Sequence, residues 1–149
     1  MSVTRVSTTP TWLLGRANAR AQTLLAAAFE PFGLRPLQYR ALAALEEHGE
    51  LSQAELGRRL TMDRKDVSVA IDHLGERRLV QRRADPTDRR RAIVALTSEG
   101  RALLPRLHAA LDAAQDAVVA PLTAREAADL TKLLAKLGIG AGEPGDTAG

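Results

Sequence analysis

Three consecutive arginines, Arg89, Arg90 and Arg91, close a turn-rich run that begins Ala84-Asp85-Pro86-Thr87-Asp88. Guanidinium groups are permanently charged planar forks that pair with phosphate oxygens, and on a narrow loop they suit a minor groove, whose negative potential attracts inserted arginine. Asp88, two residues before Arg90, stands where a paired hydrogen bond would orient that fork. A second set, Arg64, Lys65, Ser68 and Val69, falls on one side of a helical spacing. Small and cationic side chains on a protruding helix suit a major groove, where short groups admit the backbone and long ones reach base edges. A solvated helix face is the plainer reading of that set taken alone.

Other chemistry finds little support. The chain has no Gly-rich phosphate loop, nucleophile elbow or zinc-protease helix pattern, so no catalytic residue is expected. His108, Asp112 and Asp116 recur at i, i+4 and i+8 on one helix face, but three ligands without a fourth nearby are better read as a wet face than as a metal site. His48 and His73 read as solvated or capping residues. Cysteine is absent, which excludes disulfides and thiol redox switching. No cofactor is expected.

The elements that must carry the two cationic sets are legible. Ser52 and Glu55 have capping-box spacing, opening a helix at Gln53 whose Ala54, Leu56 and Leu60 face inward. Asp63 or Thr61 caps the next helix from Arg64. In it Val67, Ala70, Ile71 and Leu74 fall at i, i+3, i+4 and i+7, a buried stripe that turns Arg64, Lys65, Ser68, Val69 and Asp72 outward. Leu79–Arg82 and Ala92–Leu96 read as strands joined through the arginine tip. Ser52 and Gln53 sit at a helix N-terminus that offers backbone N–H groups to a phosphate.

At these residues the chain resembles the MarR (multiple-antibiotic-resistance regulator) family of bacterial transcription factors. The resemblance rests on Asp85-Pro86-x-Asp88-Arg89-Arg90 followed by Val94-x-Leu96-Thr97-x-x-Gly100, with Leu51-Ser52-x-x-x-Leu56 and the run Leu74 to Val80 in support. It implies a homodimer that binds a roughly palindromic operator on double-stranded DNA and loses affinity when a small molecule or oxidant acts; a repressor with a small-molecule effector is the function expected. The lack of cysteine removes the family's peroxide-sensing branch. One departure is Arg78, where the family commonly has a glycine because a left-handed backbone is needed past the recognition helix. With Gly75 inside the same helix, its end is expected near either Gly75 or Arg78.

The fold class expected is mainly α with a small β wing: a winged helix-turn-helix over residues 34–97, flanked by dimerisation helices in 11–33 and 98–138, all within one domain of 1–149. Trp12–Phe29 carries a wide apolar face, and Pro36 starts a helix running to about His48. Thr97 caps a long helix to about Ala120, with Pro105 either kinking it or marking a frayed first turn. Thr123 and Glu126 make a capping box for a final helix striped by Ala127, Leu130, Leu134 and Leu137. Residues 1–10 and 140–149 read as disordered tails. For the effector, Trp12, Arg16, Tyr39 and Arg40 are the candidate pocket, an aromatic wall with guanidinium groups that suits an anionic or aromatic ligand; the equal alternative is that Trp12 anchors the first helix into the dimer core.

Charge distribution agrees with this reading. From Arg58 to Arg91 there are eleven Lys and Arg against six Asp and Glu, a local +5 in a chain whose formal net charge is +3. Concentration on one element is the footprint of phosphate binding. No signal segment or membrane-length apolar run is evident, so a cytoplasmic location and no membrane partner are expected. The alternative function is a winged-helix module that docks a protein and does not bind DNA.

Overall fold

The computed structural model describes residues 4–138 of the 149-residue chain. The helices are α1 (Thr4–Ser7), α2 (Pro10–Phe29), α3 (Pro36–His48), α4 (Gln53–Leu60), α5 (Arg64–Glu76), α6 (Ser98–Val119) and α7 (Ala124–Leu137). The strands are β1 (Leu51–Ser52), β2 (Val80–Ala84) and β3 (Ala92–Leu96). The tail expected over residues 1–10 is therefore corrected from Thr4 onward: Thr4–Ser7 is helical, and Pro10 opens α2 because its fixed φ and missing N–H cost nothing in a first turn. Residues 1–3 and 140–149 of the expected tails lie outside the described residues.

The sheet has the order β1-β3-β2, antiparallel throughout. Val94 is the buried residue at its centre, opposite Leu51 on one side and Arg82 on the other. Around it pack Phe29, Leu42, Leu45, Leu56, Ile71, Leu74, Leu104 and Leu107, so one aliphatic core joins α2, α3, α4, α5, α6 and the sheet. The four apolar positions of the α5 stripe, Val67, Ala70, Ile71 and Leu74, are all buried.

Local chemistry explains most boundaries. Asp63, rather than Thr61, caps α5, its Oδ1 accepting the Asp66 N–H at 2.9 Å. Thr61 instead takes the left-handed conformation that ends α4, at φ 55°. Thr97 caps α6 through the Gly100 N–H (3.0 Å), and Thr123 with Glu126 forms both halves of a capping box at α7. At Ser52 only half of the expected box is present: its Oγ accepts the Glu55 N–H at 3.1 Å, while the Glu55 carboxylate pairs with Arg59 one turn on, at 3.2 Å. Pro105 lies inside a continuous α6.

Helix α5 runs through Glu76, and Arg78 has φ 58°. The chain thus does take the left-handed turn that normally calls for glycine, with an arginine in it. Arg78 is exposed, and its carbonyl accepts the Thr97 hydroxyl at 2.6 Å.

The Leu-Thr-x-x-Gly segment has a steric reason. A Cβ on Gly100 would stand 2.1 Å from the Leu79 carbonyl oxygen, which also accepts the Thr97 N–H at 3.1 Å. Only a residue without a side chain lets the start of α6 lie against the root of the wing. Gly57 does the same on a smaller scale, since a Cβ there would meet Val67 Cγ2 at 3.0 Å where α4 crosses α5.

Two helical faces have little to pack on. The α2 residues 11–20 are all exposed, including Trp12, Leu13 and Leu14, and α7 has no buried residue although Leu133, Leu134 and Leu137 line it. Arg20 anchors the middle of α2, donating from its two terminal nitrogens to the carbonyls of Val118 (2.8 Å) and Ala117 (2.9 Å) at the C-terminus of α6. A guanidinium there bonds carbonyls of the last helical turn, of which Ala117 also accepts the Ala120 N–H at 3.4 Å, and complements the negative end of the helix dipole.

Candidate nucleic-acid interface

The start of α5, the exposed side of α4 and the tip side of the wing enclose an open cleft of about 590 Å³. Its walls include Ser52 and Gln53 from the α4 end, Arg64 and Ser68 from α5, and Arg90 and Arg91 from the wing. Six of the nine residues nominated from the sequence therefore meet around one space. Lys65, Val69 and Arg89 are exposed outside it. Arg58 also lines the cleft and was missed, although its place on the outer side of α4 was readable from the spacing of Leu56, Gly57 and Leu60.

Positioning comes from the inner faces. The buried α5 stripe clamps that helix to the core, and Asp63 fixes where it starts. The outward residues Arg64, Lys65 and Val69 are exposed and Ser68 is half-buried. Ser52 is only 5% exposed, its hydroxyl committed to the Glu55 N–H, so it borders the cleft as part of the frame.

Two ion pairs brace the wing from below. Arg82 on β2 donates to Asp72 on α5 at 2.7 Å, and Arg83 donates to Glu50, just before β1, at 2.5 Å. Of the wing's cationic run, these two arginines are spent on the scaffold. The tip residues Arg89, Arg90 and Arg91 remain exposed.

The tip holds its own shape. Asp85 Oδ1 accepts the Thr87 N–H (2.9 Å) and hydroxyl (2.7 Å), and the Asp85 N–H donates to the Arg91 carbonyl at 2.9 Å. The Thr87 N–H above all, then its hydroxyl, lowers the Asp85 pKa. Asp88 does not make the paired bond expected of it. One carboxylate oxygen accepts the Arg90 backbone N–H at 3.0 Å and lies 3.5 Å from Arg90 Nε, while the Arg90 side chain stays 93% exposed. Asp88 therefore shapes the turn beneath Arg90 by bonding the backbone two residues on.

The four residues expected to wall an effector pocket do not come together within the chain. Trp12 carries Arg16 over its ring at 5.0 Å, near the start of α2. Tyr39 is buried and stacks on Phe29, at the other end of the same helix, with centroids 4.8 Å apart. Seventeen residues of helix at 1.5 Å each separate the two aromatics by roughly 25 Å along α2. Arg40 turns elsewhere, donating to the Leu60 carbonyl at 3.2 Å.

Tyr39 belongs to another group. Its hydroxyl meets His108 Nδ1 at 2.8 Å, and His108 Nε2 meets Glu46 at 2.7 Å, linking α6 to α3 at both ring nitrogens. Burial first, then the charges of Asp112 and Glu46, raise the Tyr39 pKa. His108 is thus a structural link, and no cluster of three metal-ligating side chains forms among the described residues. No helix among them is long and apolar enough to cross a membrane. His73 faces the Gly33 carbonyl at 3.4 Å, and His48 faces Arg59 at 3.4 Å.

Comparison with known proteins agrees with this geometry. A family model described as the MarR family matches residues 32–91. The HTH-type transcriptional repressor NicR of Pseudomonas putida is 36% identical over 70% of this chain and 66% of its own length. The HTH-type transcriptional repressor Rv2887 of Mycobacterium tuberculosis is 32% identical over 85% of this chain and 91% of its own. Among solved structures, a probable transcriptional regulator from Pseudomonas aeruginosa superposes with a TM-score of 0.81 at 38% identity, covering 89% of this chain and 98% of that one. Bordetella bronchiseptica BpsR, whose DNA binding is regulated by 6-hydroxynicotinic acid, superposes with a TM-score of 0.79 at 27% identity, covering 89% and 95%.

Proposed function

This chain belongs to the MarR family of winged helix-turn-helix transcriptional regulators, and on that premise we propose that it is a homodimeric repressor that clamps a roughly palindromic operator and releases it when a small aromatic or anionic effector binds. The convergence of Ser52, Gln53, Arg64, Ser68, Arg90 and Arg91 on one cleft is the observation that carries the reading. In it, Arg64, Lys65, Ser68 and Val69 enter a major groove, with Gln53 and the N-terminal turn of α4 against the backbone. Arg89, Arg90 and Arg91 reach the adjoining minor groove and its phosphates. Arg58 joins the phosphate contacts.

The exposed leucines of α7 and the exposed first half of α2 support the dimer, since a second copy would cover apolar side chains that the single chain leaves in water. Two reading heads then meet half-sites about one DNA turn apart. For the effector, the Trp12–Arg16 pair offers an aromatic face and a cation to an aromatic acid.

Selection of bound duplexes from a random pool tests this, together with sedimentation of the free protein. A palindromic consensus and a dimer are expected. Failure to enrich any duplex at low salt would turn the reading toward a protein-docking winged helix.

A further inference from the structure

Four of the five apolar side chains of α5 are buried, and the fifth, Val69, is 60% exposed. A lone exposed valine is ordinary on a protein surface, but this one sits where neither helix propensity nor packing favours it. Along α5 its neighbours are Lys65 one turn before and Asp72 nearly one turn after. Asp72 is held to Arg82 at 2.7 Å, so the wing brace fixes how this part of the helix faces outward. Ser68, the adjacent residue, lines the cleft.

Base edges in the major groove are donors and acceptors with one exception, the C5 methyl of a pyrimidine, which in unmodified DNA is thymine. A stiff isopropyl group pressed on any other edge would take polar atoms out of water without pairing them. From this geometry we infer that Val69 is a specificity-determining residue that reads a thymine methyl in each half-site. The inference rests on the proposed DNA-binding function and adds a base identity to it.

The test uses the full-length protein and the duplex enriched from the random pool, with each thymine replaced singly by deoxyuridine, which removes the methyl and nothing else. Wild-type protein should lose about three- to tenfold in affinity at one thymine per half-site. Val69→Ala should bind the unmodified duplex more weakly by a similar factor and become indifferent to that replacement. Val69 is 60% exposed and outside the buried core, and alanine is the better helix former, so the variant folds. An enriched duplex that the wild type binds equally well after every replacement overturns the inference alone, as does a Val69→Ala variant still sensitive at the same thymine. Failure of the wild type to bind any duplex overturns the parent function and this inference with it.

Discussion

Arg82 on β2 and Asp72 on α5 meet through a 2.7 Å Nη1–Oδ1 contact, so the strand that carries the arginine tip is tied to the helix that stands beside it. Both side chains are more than a third exposed, and such a pair adds about 0.5 kcal/mol or less to stability. Its greater effect is on aim. Asp72→Asn should leave the thermal midpoint nearly unchanged and weaken operator binding by several-fold, and a double-mutant cycle with Arg82→Gln should show that the two changes are not additive. Additive losses in binding would mean that each residue acts separately.

Gly100→Ala should be among the most damaging substitutions in the chain. The added methyl would lie 2.1 Å from the Leu79 carbonyl oxygen, backbone that cannot swing aside as a flexible side chain would. A loss of about 3 kcal/mol, read by denaturant unfolding, is expected from forced displacement of α6 against the wing.

Arg78 and Gly75 should respond in the opposite direction. Arg78→Gly relieves a left-handed residue worth ~1–2 kcal/mol of strain, partly offset by the greater freedom of glycine in the unfolded chain. The Arg78 carbonyl that accepts from Thr97 is kept. Gly75→Ala meets nothing within 4 Å and should add up to ~1 kcal/mol of helix propensity. Unfolding midpoints of the two variants and of Arg78→Val, expected to be destabilised, check the assignment.

The acid side of the pH profile should register at Asp85. Its pKa lies below the ordinary 3.8 because the Thr87 N–H and hydroxyl stabilise the carboxylate. A depressed folded-state value means that the tip's bracing is fully present above the unfolded-state pKa and is lost as the pH falls through the folded-state one. Carboxyl NMR should give Asp85 a midpoint below 3.8, and Thr87→Ala should raise it. The backbone N–H, the larger cause, survives in that variant, so a midpoint that ignores the substitution would remove only the Thr87 hydroxyl as a cause.

What the sequence disclosed were features written within one or two turns of chain: the Asp63, Thr97 and Thr123 caps, the α5 stripe, the hairpin and its arginine tip. What it withheld were partners far apart. Arg20 reads as one more polar residue on α2, and only the antiparallel run of α2 along α6 brings it to the carbonyls of Ala117 and Val118. Tyr39, grouped with Trp12 as an aromatic wall, is claimed by Phe29 and His108 because α3 and α6 pack on the far end of α2. Glu55 was readable as a box partner for Ser52, but Arg59 offers its carboxylate a stronger charge-assisted bond.

The most direct test is the salt dependence of operator affinity for the wild type and Arg90→Ala. The wild type should lose affinity with a log–log slope of about −0.9 per phosphate contact. Arg90→Ala should bind ~1–3 kcal/mol more weakly with a slope shallower by about one. Affinity indifferent to salt, or an Arg90→Ala variant with the wild-type affinity and slope, would contradict a wing tip that grips DNA.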